Sequence, residues 1–229
     1  MIGLPAIPVA YHAFADQDDI WEAGKLARAL ECLRVLPDDK PALYCGRTRL
    51  IDSTGYATGM SWLFPEAPSF RNALAQNIGG GNTMVLSPAT VELVRQACPE
   101  LEVLLHDWWL YLLTTGVGGN VVYDTAPQLR YRQHDTNIVG SNLGLTARIH
   151  RAMAITRGTL RTWNDRNLQS LDTIKPYLTD DSRYVLREFE QARTGSLLSR
   201  LLHLRRSGVH RQQLSGNIGL FLATVFGSL

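Results

Sequence analysis

No apolar run in this chain of 229 residues is long enough to cross a bilayer: the longest, at residues 218–229, is well short of the roughly 20 residues that a spanning helix needs. The first ten residues lack the basic start and apolar centre of a signal peptide. Cysteine is scarce, and Cys32, Cys45 and Cys98 are too widely spaced to indicate a disulfide framework or a CxxC metal site. These absences predict a folded protein of a reducing, cytoplasmic compartment.

Charge is also sparse and unevenly spread. Charged residues make up 19% of the chain and hydrophobic residues 45%, which excludes a disordered or fibrous protein. Residues 1–147 hold 10 Lys and Arg against 15 Asp and Glu, whereas residues 148–229 hold 13 against 6. The basic C-terminal part fits a solvated surface or contact with an anionic membrane. No basic patch with interleaved aromatic residues indicates contact with nucleic acid.

Strand and helix patterns alternate up to about residue 147 and predict an α/β fold. The predicted strands include Ile7–Ala15, a short strand near Thr83–Leu86, Asn120–Asp124 and Gln128–His134. The predicted helices include Asp19–Leu36, a helix that begins at Pro88, and His106–Gly116. A capping box of Asp19 and Glu22 is expected to open the first helix, and Ser87 is the expected N-cap of the second. Everything after about Ala147 is predicted to be helical. The sequence thus predicts an α/β domain over residues 1–147 and a basic helical extension over residues 148–229.

Three carboxylates crowd the short stretch FADQDDIW, at Asp16, Asp18 and Asp19. An EF-hand is excluded, because Trp21 stands where its loop needs glycine. One interpretation is structural, with Asp19 capping the next helix and the other two solvated. In the other, Asp16 and Asp18 point to the same side at the end of a strand and share Mg²⁺ or Mn²⁺ with the diphosphate of a substrate.

Asp107 opens the apolar helix HDWWLYLLTTG and also has two interpretations. It is either the N-cap of a helix whose Trp108 and Trp109 belong to the core, or a general base at the mouth of a pocket. In the second case the two tryptophans exclude water or stack on the face of a sugar.

Two further groups of residues are candidates for binding. His134 is either a structural residue at a strand end or a ligand at the edge that carries the acidic cluster, where Arg130 or Arg132 would face a phosphate. The tract GGGN at residues 79–82 lacks the third glycine of a dinucleotide fingerprint, because Met84 occupies its place. It indicates a plain turn or the close approach of Gly80, Gly81 and Asn82 to a bulky acceptor.

Taken in order, FADQDDIWEAGKLARAL, GGGNTMVLS and HDWWLYLLTTGVGGNVVYDTAPQLRYRQHDTNIVGSN closely resemble glycosyltransferase family 2, particularly its rhamnosyltransferase-like bacterial members. The resemblance runs from about Tyr11 to Asn142, and the C-terminal SGVHRQQLSGNIGLFL is similar as well. It implies a GT-A fold, with a mixed sheet flanked by helices. It also implies an inverting, metal-dependent transfer of a sugar, for instance rhamnose, from a nucleotide donor to a cell-surface glycan.

The resemblance also implies roles for single residues. Asp16 and Asp18 match the DxD motif, with Asp18 as the direct ligand of a divalent cation, Mg²⁺ or Mn²⁺. Asp107 matches the catalytic base, and His134 matches an additional contact to the metal or the diphosphate. The residues expected to line the acceptor side are Trp108 and Trp109.

One departure from the family concerns the start of the chain. Family members carry a nucleotide-binding α/β half ahead of the DxD strand, so residues 1–147 are expected to form a truncated GT-A-like domain. The expected partners are a nucleotide-sugar donor and a glycan or lipid-linked acceptor, with a peripheral contact at the inner face of the plasma membrane. Two alternatives stay open: a glycoside hydrolase that uses Asp18 and Asp107, and a non-catalytic remnant that binds a glycan or a partner.

Overall fold

The computed structural model describes residues 10–97, 103–133 and 159–229. The strands are β1 (His12–Ala13), β2 (Ile20–Trp21), β3 (Ala42–Gly46), β4 (Arg49–Ile51), β5 (Ala57–Met60), β6 (Val85–Leu86), β7 (Asn120–Asp124) and β8 (Leu129–Arg132). The helices are α1 (Lys25–Arg34), α2 (Phe70–Ala73), α3 (Pro88–Ala97), α4 (His106–Gly116), α5 (Thr159–Ile174), α6 (Asp180–Ala192), α7 (Leu197–Ser207) and α8 (Leu214–Phe226). Short 3-10 turns lie at Gly81–Thr83 and Lys175–Tyr177.

The strands form two mixed sheets of four strands each. The first has the order β1-β6-β3-β7, in which β3 and β7 are parallel and β6 is antiparallel to both of its neighbours. The second has the order β2-β8-β4-β5, in which β4 and β8 are parallel. The predicted α/β fold with a helical C-terminal part is therefore confirmed, with two mixed sheets in place of one.

Helix α4 is the centre of the hydrophobic core. Every side chain from Trp108 to Leu113 is less than 5% exposed, because the helix carries apolar residues on all sides and is covered on all sides. One cluster of buried side chains includes this helix, β3 and the C-terminal helices. The Trp108 and Trp163 rings meet edge to face with centroids 6.0 Å apart. The C-terminal helices thus pack on the core of the α/β part, whereas the predicted boundary at residue 147 lies outside the described residues.

The C-terminal helices have local start and stop signals. Thr179 and Ser196 are N-caps whose hydroxyl oxygens accept hydrogen bonds from the backbone N–H of Ser182 and Ser199, at 3.1 and 3.4 Å. Gly208 ends α7 in the left-handed conformation, which costs glycine little. Within the described ranges, no helix is both long and apolar enough to cross a membrane.

The start of the chain differs from the prediction. Of the strand expected at Ile7–Ala15, β1 covers only His12–Ala13, and residues 1–9 lie outside the described part. Helix α1 begins at Lys25 with Gly24 as N-cap, so the capping box of Asp19 and Glu22 is wrong. Both carboxylates bind partners elsewhere in the fold. By contrast, Ser87 caps α3 as predicted, since its Oγ accepts a hydrogen bond from the backbone N–H of Thr90.

Candidate functional site

The acidic loop, defined here as the segment between β1 and β2, carries the three clustered carboxylates. The Asp16 side chain is exposed, whereas Asp18 and Asp19 are half-buried. Both carboxylate oxygens of Asp19 accept hydrogen bonds: Oδ2 from the side-chain amide of Asn82, and Oδ1 from the backbone N–H of Arg132 at 3.1 Å. Asp19 therefore ties the loop to its neighbours, and its predicted role as a helix cap is wrong.

Burial and charge act together on the Asp19 carboxyl. Burial raises its pKa above the ordinary value, and the negative charges of Asp16 and Asp18 raise it further. The hydrogen bonds from Arg132 and Asn82 oppose this effect because they stabilise the ionised form. The neighbouring carboxylates therefore make ionisation of Asp19 less favourable, and the two hydrogen bonds offset part of this effect.

Lys25 supplies a positive charge beside this loop that the sequence analysis missed. Its side chain is only 1% exposed, and its ammonium group donates a 2.6 Å hydrogen bond to the backbone carbonyl of Asn82. The same group lies 3.5 Å from the centre of the Trp21 ring, a cation–π contact. Burial lowers the Lys25 pKa to about 8, although the attraction of Asp19 and Asp16 opposes that shift.

The two arginines predicted to face a phosphate already have protein partners. Arg130 pairs with Glu22 through its Nε at 2.8 Å, and this bond lowers the pKa of the Glu22 carboxyl. The Arg132 guanidinium donates to the backbone carbonyls of Asp18, Asp52 and Ser53, at 3.0, 3.1 and 2.8 Å. Arg132 therefore holds the acidic loop against β8 and the β4–β5 turn, and Arg130 holds the segment just after β2 against β8. A phosphate contact for either of them stays a prediction.

Gly81 and Asn82 connect the acidic loop to Asp107. The Asn82 side chain binds Asp19, while the preceding Gly81 donates its backbone N–H to the Asp107 carboxylate. The Gly80–Asn82 segment, expected as a turn or an acceptor contact, is thus a bridge between the acidic loop and Asp107. Contact of this segment with an acceptor stays a prediction.

Asp107 lies in the first turn of α4, whose N-cap is Leu105, so its alternative role as the N-cap is wrong. Its Oδ1 accepts a 2.7 Å hydrogen bond from the backbone N–H of Trp108, and Asn77 binds it through a side-chain hydrogen bond. Burial raises the Asp107 pKa above the ordinary value, while these hydrogen bonds and the nearby His106 oppose the rise. The result is a half-buried, oriented carboxylate, the kind of group that serves as a general base.

His106, the neighbour of Asp107, lies at the same place and was missed by the sequence analysis. Its exposed ring lies 5.1 Å from the Phe14 ring, which comes just before the acidic loop. A side chain at Gly81 would meet the imidazole, because a Cβ atom built there lies 2.2 Å from its Nε2. Glycine at this position therefore lets His106 lie against the bridge.

Trp108 and Trp109 belong to the core. They are 4% and 1% exposed, and the indole N–H of Trp108 donates to the backbone carbonyl of Ala73 at 2.7 Å. Burial of this kind leaves neither ring a face for stacking on a sugar, which corrects the expectation that they line the acceptor side. The structural interpretation of the two tryptophans is the one that fits.

The donors on the acidic loop suit a hard divalent cation. Asp16 and Asp18 offer carboxylate oxygens, the ligands that Mg²⁺ and Mn²⁺ prefer, and such ions take their remaining ligands from water and phosphate. Among the described residues, no group of three or more His, Cys, Asp or Glu side chains is arranged to hold a metal. The predicted third ligand, His134, lies outside the described residues. Two carboxylates are too few to hold such a cation by themselves, so they fit a cation that is shared with a diphosphate better than a cation held by the protein alone.

Comparison with curated proteins finds a relative, the dTDP-rhamnosyl transferase RfbG of Shigella flexneri, that is 29% identical to this chain over 152 residues. The aligned region makes up 62% of this chain and 49% of the relative, so the chain spans about half the length of the protein it matches. No family model and no solved structure matches the chain. The similarity supports the resemblance to rhamnosyltransferase-like glycosyltransferases.

Proposed function

We propose that this chain carries the diphosphate-binding loop and the catalytic base of an inverting glycosyltransferase. The observation that carries the proposal is the bridge at Gly81 and Asn82, which binds Asp107 on one side and Asp19 on the other. The name of the relative adds the donor class, so the proposed donor is rhamnose on dTDP. The proposed acceptor is a cell-surface glycan assembled on the cytoplasmic side of the membrane.

In this proposal Asp107 is the general base. A sugar hydroxyl is a weak nucleophile near neutral pH, and a carboxylate that accepts its proton speeds the reaction by a factor of about 10² to 10⁴. The hydroxyl oxygen attacks the anomeric carbon, and the bond from that carbon to the donor phosphate breaks. The nucleoside diphosphate leaves with the electron pair, and attack from the opposite face inverts the configuration. Burial favours this role, because a raised pKa makes Asp107 a stronger proton acceptor.

The acidic loop is proposed to hold the leaving diphosphate. Asp16 and Asp18 would hold Mg²⁺ or Mn²⁺, which when bound neutralises the charge on the departing phosphates. Asp19 and Lys25 fix the position of the loop through their hydrogen bonds to Asn82. His134 is proposed as a further contact to the metal or the diphosphate.

Thermal unfolding tests the donor site directly. The purified chain is melted with Mn²⁺ and each of several nucleoside diphosphates, including dTDP, in the wild type and in Asp18→Ala. A ligand at about one hundred times its dissociation constant adds about 2.7 kcal/mol of stability, which a melting curve detects. We expect dTDP to stabilise the wild type only with the metal, and Asp18→Ala to lose the effect. Asp39→Ala, which removes an exposed carboxylate after α1, is the matched control.

The other outcomes select between the alternatives. Glycan binding without any nucleotide effect would support the non-catalytic remnant. Hydrolysis of a glycan that persists in chelator would support a glycoside hydrolase using Asp18 and Asp107, since that reaction needs no metal or nucleotide. Stabilisation by dTDP in chelator would reject the metal-bridged diphosphate.

A further inference from the structure

Helix α8 has an apolar face that the described part of the chain leaves exposed. Leu220, Ala223 and Thr224 pack inward, while the opposite face is apolar and open to solvent. The exposed residues are Leu214, Ile218, Phe221, Leu222 and Phe226. Leu214, Ile218, Leu222 and Phe226 recur every four residues and Phe221 follows Ile218 by three, so all five lie in one stripe along the helix. Contiguous exposed apolar surface of this kind marks a site of interaction with a partner or a membrane.

The stretch of chain that forms α7 and α8 is basic. Residues 191–229 contain five arginines and no Asp or Glu. Arg205 and Arg206 are exposed in the last turn of α7, on the face that also exposes Leu198 and Leu202. Helix α7 contacts α8 directly, since Arg200 donates a 3.2 Å hydrogen bond to the backbone carbonyl of Val225. Apolar and basic side chains therefore occur together on two adjoining helices.

We propose that these exposed faces of α7 and α8 form a docking surface for an anionic phospholipid bilayer. Phenylalanine and leucine side chains enter the boundary between headgroups and acyl chains, and arginines pair with the phosphates above it. A second copy of the chain fits less well, because a two-fold interface would bring the same arginines together without an acidic partner from residues 191–229. The surface shares no residue with the proposed nucleotide site, so either proposal can fail while the other stands.

Co-sedimentation with lipid vesicles tests the docking surface. The chain is mixed with phosphatidylcholine vesicles, with or without phosphatidylglycerol, at low and at high salt. We expect binding to the anionic vesicles that weakens as salt rises. Phe226→Ser should lower the partition coefficient about tenfold, from the apolar contact it removes. Replacing Arg205 and Arg206 by Gln should lower it about 30-fold on anionic vesicles only, at about five- to sixfold for each charge.

Tyr56→Ser is the matched control. Tyr56 lies in the β4–β5 turn and is 77% exposed, against 78% for Phe226, so both changes remove an equally exposed aromatic ring. The control should bind vesicles like the wild type, and the melting temperature of every variant should stay unchanged. Absence of sedimentation with anionic vesicles would overturn the proposal. So would a dimer in sedimentation equilibrium that Phe226→Ser dissociates, because the face would then be buried between two copies.

Discussion

The ammonium group of Lys25 donates a 2.6 Å hydrogen bond to the backbone carbonyl of Asn82, whose side-chain amide in turn binds the Asp19 carboxylate. The buried Lys25 cation thus binds the backbone of Asn82, and the half-buried Asp19 anion binds its side chain. The acidic loop therefore has a positive charge of its own beside it, in addition to any cation that Asp16 and Asp18 bind. Because these contacts join α1, the acidic loop and the Gly80–Asn82 segment, they fix the positions of the site residues before any ligand binds.

The first prediction concerns the pH dependence that Lys25 confers. Its pKa of about 8 in the fold lies below the ordinary 10.5, so between these values the unfolded chain binds more protons than the folded one. The free energy of unfolding of the wild type should therefore rise with pH across this window, relative to Lys25→Met, by at most about 1.4 kcal/mol per pH unit. Urea unfolding of both proteins at several pH values measures the difference, in which shared tyrosine titration cancels. Lys40→Met, at an exposed position, should show no such trend, and parallel curves for wild type and Lys25→Met would contradict the prediction.

The second prediction concerns the amide of Asn82. Asn82→Asp replaces a hydrogen-bond donor to Asp19 by a second carboxylate, so we expect the free energy of unfolding to fall by about 1 to 3 kcal/mol at neutral pH. The loss should shrink in acid, because a protonated carboxyl can donate a hydrogen bond again. Gln17→Glu adds the same charge at an exposed position of the same loop and should cost less than about 0.5 kcal/mol. Equal losses in the two variants would mean that net charge matters and the Asn82 contact does not.

The third prediction separates catalysis from donor binding. Asp107→Asn removes the proton acceptor and keeps the shape, so transfer should slow by a factor of about 10² to 10⁴ while the stabilisation by dTDP and Mn²⁺ is retained. Release of nucleoside diphosphate in the presence of a glycan acceptor measures the rate. Asp39→Asn at an exposed site is the control and should leave the rate unchanged. A transfer rate unaffected by Asp107→Asn would assign the base elsewhere.

The fourth prediction concerns the unity of the fold. Leu178, between α5 and α6, is 2% exposed and belongs to the cluster of buried side chains that includes α4. Leu178→Ala should lower the free energy of unfolding by about 2 to 5 kcal/mol and shift the whole chain in one transition. Tryptophan fluorescence and circular dichroism recorded together in urea test this. Leu198→Ala, at an 80% exposed position, should have little effect, and two separate transitions would indicate independent domains.

Several local features of the fold could be predicted from the sequence because their signals lie within a few residues. The helix His106–Gly116 and the strand Asn120–Asp124 have the predicted bounds, since an apolar helical run and an apolar strand are each bounded by glycines or polar residues. Ser87 followed by Pro88 starts α3 for the same local reason. The capping box failed because its two carboxylates bind residues far along the chain: Asp19 binds Asn82, and Glu22 binds Arg130.

The sequence by itself determined the kinds of residue available: paired carboxylates on the acidic loop, a carboxylate opening an apolar helix, and a C-terminal stretch, residues 191–229, with five arginines and no Asp or Glu. Only the tertiary structure decided which of them meet. Lys25 and Asn82 are 57 residues apart, and Asp19 and Asn82 are 63 apart, yet each pair forms a hydrogen bond. Periodicity along a chain shows which face of an element is apolar, but the contacts between elements depend on how all of them pack around one core.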